Sequence, residues 1–164
     1  MPIDKNTFRA VMGSFVAGVT IVTVRDAEGK PRGFTASAVC SLSLDPPLLL
    51  VCVDHRSDTY PAMQDATAFA VNMLKHGQEE LSARFASKGI DKFAVVGHSS
   101  GELGAPILDD VIAYAECSVS AKYPGGDHTI FVGQIEHAGG FEGHPLAYYR
   151  GSYGTFAPNP PPGG

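Results

Sequence analysis

A surplus of positive charge is missing from this chain. Its 164 residues carry 12 Lys and Arg against 17 Asp and Glu, a formal net charge of −5. Without a basic stripe to neutralise a phosphate backbone, nucleic acid is excluded as the expected partner. Long apolar runs are also missing: none approaches the roughly 18 uncharged residues of a spanning helix, so no membrane role is expected. The opening MPIDKNTFRAV has no basic stretch followed by a hydrophobic region, which leads to the expectation of a cytoplasmic protein. Cysteine is sparse, and Cys40, Cys52 and Cys117 are odd in number, widely spaced and set in apolar sequence. They read as buried reduced thiols rather than a disulfide framework. No CxxC, HExxH or comparable spacing of His55, His76, His98, His137 and His144 occurs, so no metal site is expected. The chain also lacks GxGxxG, GxxxxGK[ST] and GxSxG, which removes a Rossmann fingerprint, a P-loop and a hydrolase elbow.

What is present fits one domain with a core burying roughly two-thirds of the unfolded surface. We expect it over residues 1–156, with 157–164 a Pro/Gly-rich tail. Phe8, Val11, Met12 and Phe15 recur at helical spacing behind a cap at Asp4 or Asn6, predicting an amphipathic helix ending between Gly13 and Gly18. The next β-branched run, a turn at Asp26 to Lys30 and a second extended run predict a hairpin. Asp45-Pro46-Pro47 is expected to give an extended entry into Leu48 to Val53, whose apolar sequence suggests a strand buried on both faces. Ala68 to Leu74 reads as another strand between short helical pieces. The second of these, Gln78 to Ala86, should stop before Gly89. Val111 to Tyr123 and Thr129 to His137 should pair antiparallel across Pro124-Gly125-Gly126-Asp127. Strands outnumber helices without regular alternation, so the expected fold is mainly β with peripheral helices, an antiparallel Greek-key barrel.

One stretch concentrates chemistry. In GFTASAVCSLSLDPPLLLVCVDHRSDTY, Thr35, Ser37, Ser41 and Ser43 supply hydroxyls, while Gly33, Ala36 and Ala38 leave room for a flat ligand near the backbone. Asp54-His55-Arg56-Ser57-Asp58 then places polar groups at a strand end. By spacing alone, a Ser-rich hairpin followed by an ordinary turn accounts for the same residues.

FTASAVCSLSLDPPLLLVCVD, FAVNML, LSARFA, GDHTIFVGQI and PLAYYRGSYG, in this order, resemble the short flavin reductases with an FMN-binding split barrel, including reductase components of two-component flavin monooxygenases. The resemblance implies an NAD(P)H-dependent flavin reductase, with FMN or FAD as flavin, NADH or NADPH as hydride donor, a partner monooxygenase and a homodimer. It implies flavin contacts at Thr35, Ala36, Ser37, Ser41, Cys52, Val53, Asp54, Ser57 and Asp58. Arg84, with Phe85 and Ala86 beside it, would hold phosphate, which suits a guanidinium fork. His128 would face the nicotinamide nucleotide, with Asp127 a weaker neighbour. Tyr153 is the catalytic-rim candidate among Tyr148, Tyr149, Arg150 and Tyr153; many relatives have His where Tyr149 stands. Two alternatives remain open: a tightly held flavin serving another acceptor, and a non-catalytic flavin-binding module.

Overall fold

The computed structural model describes residues 1–159. Its helices are α1 (Lys5–Met12), α2 (Tyr60–Asp65) and α3 (Glu79–Ala86). Its strands are β1 (Ala17–Gly18), β2 (Thr20–Arg25), β3 (Pro31–Ala36), β4 (Val39–Ser43), β5 (Leu48–Asp54), β6 (Ala68–Met73), β7 (His98–Ser100), β8 (Pro106–Leu108), β9 (Ala113–Gly125), β10 (His128–Gly140), β11 (Leu146–Tyr149) and β12 (Ser152–Thr155). The mainly β expectation holds.

The principal sheet has seven antiparallel strands in the order β3-β2-β6-β9-β10-β5-β4. Laid flat at about 4.8 Å per strand, β3 and β5 would lie about 24 Å apart. Yet Phe34 and Ala36 of β3 share one buried cluster with Leu49, Val51 and Val53 of β5. The sheet is therefore curled around that cluster, with Phe69 and Phe131 at its centre. Its two edge strands, β3 and β4, are not hydrogen-bonded to each other, so the curl stays open as a split barrel. A second cluster on the other side of β2 packs Val19 and Ile21 against Leu74, Phe85, Phe93 and Leu146. Covered from both sides, β2 is buried along almost its whole length.

Both expected hairpins form. Asp26 closes the first by accepting from the Glu28 and Lys30 amides at 3.0 and 2.9 Å. In the second, β9 and β10 pair across Gly126-Asp127. Gly126 has φ 71°, the positive value required at the first central residue of a II′ turn. This tight turn starts β10 at His128, beside Asp54 of β5.

Several expectations change. Asp4 caps α1 as expected, accepting from the Asn6 and Thr7 amides at 2.8 and 3.1 Å. However, the helix stops at Met12, leaving Phe15 outside it, and it buries no residue. No element of the described chain lies over its apolar stripe. Asp45-Pro46-Pro47 belongs to the turn joining β4 to β5, rather than an extended entry. Burial in β5 alternates because only one face meets the core; Leu48, Leu50, Cys52 and Asp54 stay half-buried. The helix α3 ends at Ala86 as read, with Ser87 as its cap and Gly89 two residues further on at φ 72°. Of the cysteines, only Cys117 is buried; Cys52 is half-buried and Cys40 exposed, because β4 is an edge strand whose residues 40–42 all face solvent. No helix among the described residues is long and apolar enough to cross a membrane. Residues 157–159 have no regular structure, and the rest of the expected tail, 160–164, lies outside the described residues.

Candidate functional site

The open seam of the curled sheet holds a cleft of about 310 Å3. One wall is the end of β3 and the following turn, Phe34 to Ala38; the opposite side is Cys52, Asp54, Ser57 and Asp58. The C-terminal end of α3 contributes Phe85 to Lys88, and Lys92 and His128 complete the rim. Segments far apart in sequence thus converge on one concavity.

The approach of α3 to β3 depends on Gly33. A Cβ there would lie 2.8 Å from the Phe85 ring, so any side chain would push the helix away. Polar contacts lock the wall in place. Thr20 Oγ1 donates to Ala36 O at 2.7 Å, and Thr35 Oγ1 donates to Ser82 O at 2.6 Å. Thr59 Oγ1 and Lys92 Nζ both donate to Gly33 O, at 2.8 and 3.0 Å. Small residues on a rigidly held strand end leave space for a flat ligand without leaving the wall mobile.

The rim carries charge of both signs. Arg56 forms a fork on Asp54, with Nε 3.1 Å from Oδ1 and a terminal nitrogen 2.8 Å from Oδ2. Those side-chain hydrogen bonds hold the Asp54 carboxyl well below the usual carboxylate range. Lys92, only 7 % exposed, pairs with Asp58 Oδ1 at 2.7 Å. Burial pushes the Asp58 carboxyl up, but the Lys92 hydrogen bond and charge outweigh it, leaving the group below its ordinary value. Lys88 Nζ donates to Arg56 O at 2.9 Å, joining the end of α3 to the loop after β5.

His128 Nδ1 lies 2.7 Å from Asp127 Oδ1, and this hydrogen bond lowers the aspartate below its ordinary value. An ionised carboxylate only accepts, so Nδ1 carries the proton. Nε2 is then left to accept from a ligand when the ring is neutral, or to donate when it is charged. Cys52 also lines the cleft; burial, then the neighbouring Cys40, pushes its thiol up, so it presents a neutral surface rather than a nucleophile.

The structure brings together Thr35, Ala36, Ser37, Cys52, Asp54, Ser57, Asp58, Phe85, Ala86 and His128. It does not bring the remaining candidates to the cleft wall. Val53 alternates with Cys52 and Asp54 along β5, so it points into the core. Ser41 lies further along the exposed edge strand β4, opposite Leu49. Arg84 is turned away: Nε donates to Lys92 O and a terminal nitrogen to Asp91 O, both at 2.7 Å. It builds the loop that carries Lys92. Tyr153 stands behind the wall, where its hydroxyl is 3.0 Å from Ser82 Oγ. Ala38, read as leaving room for a flat ligand, also lines the cleft, whereas sequence reasoning missed Phe34, Ser87, Lys88 and Lys92. The available signal was SKGIDKF directly after LSARFA, two lysines flanking a glycine turn at a helix end.

The family described as "Flavin reductase like domain" matches residues 12–157. The reductase component of a 4-nitrophenol 4-monooxygenase/4-nitrocatechol 2-monooxygenase from Rhodococcus opacus is 43% identical over 157 residues, covering 96% of this chain and 84% of the relative. A Rhizobium meliloti protein named "Probable flavin reductase" is 43% identical over 152 residues, covering 93% of this chain. This chain spans only 49% of that relative's length. Among solved structures, the NADH:FAD oxidoreductase of Streptomyces globisporus C-1027, in complex with NAD and FAD fragments, superposes with a TM-score of 0.89. It is 37% identical, with coverage of 95% of this chain and 94% of that one.

Proposed function

The chain belongs to the flavin reductase-like family, and from that premise we propose that it transfers hydride from NADH or NADPH to FMN or FAD and passes reduced flavin to a partner monooxygenase. The observation that carries this reading is the single cleft in which the small-residue wall at 34–38 and His128 face a shared space.

Bound in the cleft, a flavin supplies the ring that accepts hydride. Residues 34–38 take one side of it, where Gly33 and the alanines permit close backbone approach. Lys88 and Lys92 place positive charge beside the space in which negative charge accumulates on reduction, and equally suit a flavin phosphate. The Asp54–Arg56 pair holds the opposite rim rigid. His128, oriented by Asp127, presents Nε2 to a nicotinamide carboxamide or phosphate, which positions the donor ring without requiring a proton transfer at the histidine. Tyr153 is a positioning residue acting through Ser82 on Thr35.

Residues 1–156 act as one domain in this reading, supported by the extent of the family match. A homodimer is supported by α1, whose exposed Phe8, Val11 and Met12 find no cover in the described chain. A cytoplasmic setting suits the three unpaired cysteines.

Mixing the purified protein with each flavin and each dinucleotide tests the proposal. Accelerated dinucleotide oxidation, with flavin lost on dialysis, is expected. No acceleration with any pairing would contradict the activity. A yellow protein that retains flavin through dialysis and needs none added would contradict the release of reduced flavin.

A further inference from the structure

His128 is the first residue of β10, and its register partner Asp54 is the last residue of β5. Toward the turn, residues 122–127 are all exposed, and two of them, Gly125 and Gly126, have no side chain to pack. The ring read as facing the dinucleotide therefore stands where the sheet runs out of cover. A hairpin end of this kind opens easily unless something outside the ladder holds it.

His55 holds it on both sides. Its amide donates to Asp127 O at 3.1 Å, one residue before His128. Its imidazole reaches the residue after: Nε2 lies 3.0 Å from Thr129 Oγ1. Successive strand residues face opposite ways, so His128 turns to the cleft while Thr129 turns with Val53 and Phe131 toward the inner side of the sheet. His55 does not line the cleft, so it grips the chain that carries His128 without occupying the ligand's space.

The grip is itself anchored. The Tyr60 hydroxyl lies 2.9 Å from the same Thr129 Oγ1, and the Tyr60 and His55 rings meet with centroids 4.8 Å apart. A hydroxyl offers one donor and two acceptor positions, so Thr129 serves both partners at once. Tyr60 opens α2 and packs on the buried cluster of the curled sheet. Lys122 Nζ on β9 donates to Gln64 O at 2.5 Å, which ties the same helix to the hairpin a second time. His55, Tyr60 and Thr129 thus join an exposed hairpin end to the core.

We propose that His55 is a positioning residue for His128: with Thr129 and Tyr60 it fixes the chain on either side of that ring, and through it sets the affinity for the nicotinamide dinucleotide. The inference rests on His128 being the residue that meets the dinucleotide. The amide grip survives any side-chain substitution, so the effect of losing the imidazole is partial.

Steady-state kinetics of Thr129→Val, Thr129→Ser and His55→Leu test this. Thr129→Val keeps the β-branched shape and removes only the hydroxyl. The KM for the dinucleotide should rise about threefold or more in Thr129→Val and His55→Leu, with the KM for flavin within about twofold and the wild-type value restored in Thr129→Ser. In a His128→Ala background, His55→Leu should add nothing further, because it acts through that ring. Unchanged dinucleotide KM values, a rise in Thr129→Ser equal to that in Thr129→Val, or an additive double variant would overturn the proposal. If His128→Ala itself left the dinucleotide KM unchanged, the reading of His128 would fail by itself. Nuclear magnetic resonance of the imidazole nitrogens would still decide the positioning: loss of the fixed Nδ1-protonated form of His128 in Thr129→Val supports it, and a wild-type pattern overturns it.

Discussion

The wall of the first cleft and helix α1 are both short segments of mixed polarity, yet they end in opposite states. The wall is held by Thr20, Thr35, Thr59 and Lys92 through buried or half-buried hydrogen bonds that converge on residues 33–36 and the neighbouring α3. The helix has its own cap and is well formed, but Val11 remains 61% exposed and nothing in it is buried. Local signals are sufficient to form either segment. What differs is whether the described residues supply partners, polar ones for the wall and none for the apolar stripe. The wall is therefore part of the folding unit, and α1 keeps its apolar stripe exposed among the described residues.

The strongest way to break this comparison is to remove the support beneath the wall. Phe85 is fully buried against Gly33, and Phe85→Ala is expected to destabilise the fold by about 3–5 kcal/mol, read from denaturant unfolding. A loss below about 1 kcal/mol would mean that the wall does not depend on α3. Next in size is Lys92→Met, which leaves Gly33 O and Asp58 without their shared donor. About 2 kcal/mol should be lost, together with flavin affinity.

The same ion pair gives a pH dependence. Asp58 has a folded-state pKa below its ordinary 3.8, so its contribution is fully present above that value and fades as pH falls through the lower folded value. Unfolding of wild type and Asp58→Asn should therefore converge below about pH 3.8 and separate above it. A constant difference across that window would show that charge is not responsible. Smallest in energy, but sharpest for the comparison, is the double variant Phe8→Ser, Val11→Ser. Protomer stability should change by no more than about 0.5 kcal/mol, while sedimentation shifts from dimer to monomer. An unchanged dimer would remove α1 from the association surface.

Much of the fold was legible because local chemistry and tertiary structure agree. Asp4, the Asp26 turn and Gly126 stand where capping and turn rules put them. The cleft's small-residue wall was legible for a similar reason: few side chains besides Gly and Ala let a backbone approach a flat ligand. Side-chain direction was not legible. Arg84 and Phe85 are adjacent on α3, but only the packing of that helix on β3 sends the ring inward and the guanidinium to the 91–92 carbonyls. Lys92 was missed because a lysine in a loop reads as solvated until the fold buries it. The strand β5 looked apolar throughout, yet its second face lines the cleft at Cys52 and remains half-buried elsewhere.

In the proposed function one cleft holds two rings, with flavin against residues 34–38 and the nicotinamide at His128. Kinetics of His128→Ala test it most directly. The KM for the dinucleotide should rise about tenfold, equivalent to the loss of about 1.4 kcal/mol, while the KM for flavin stays within about twofold. Equal changes in both constants would contradict it.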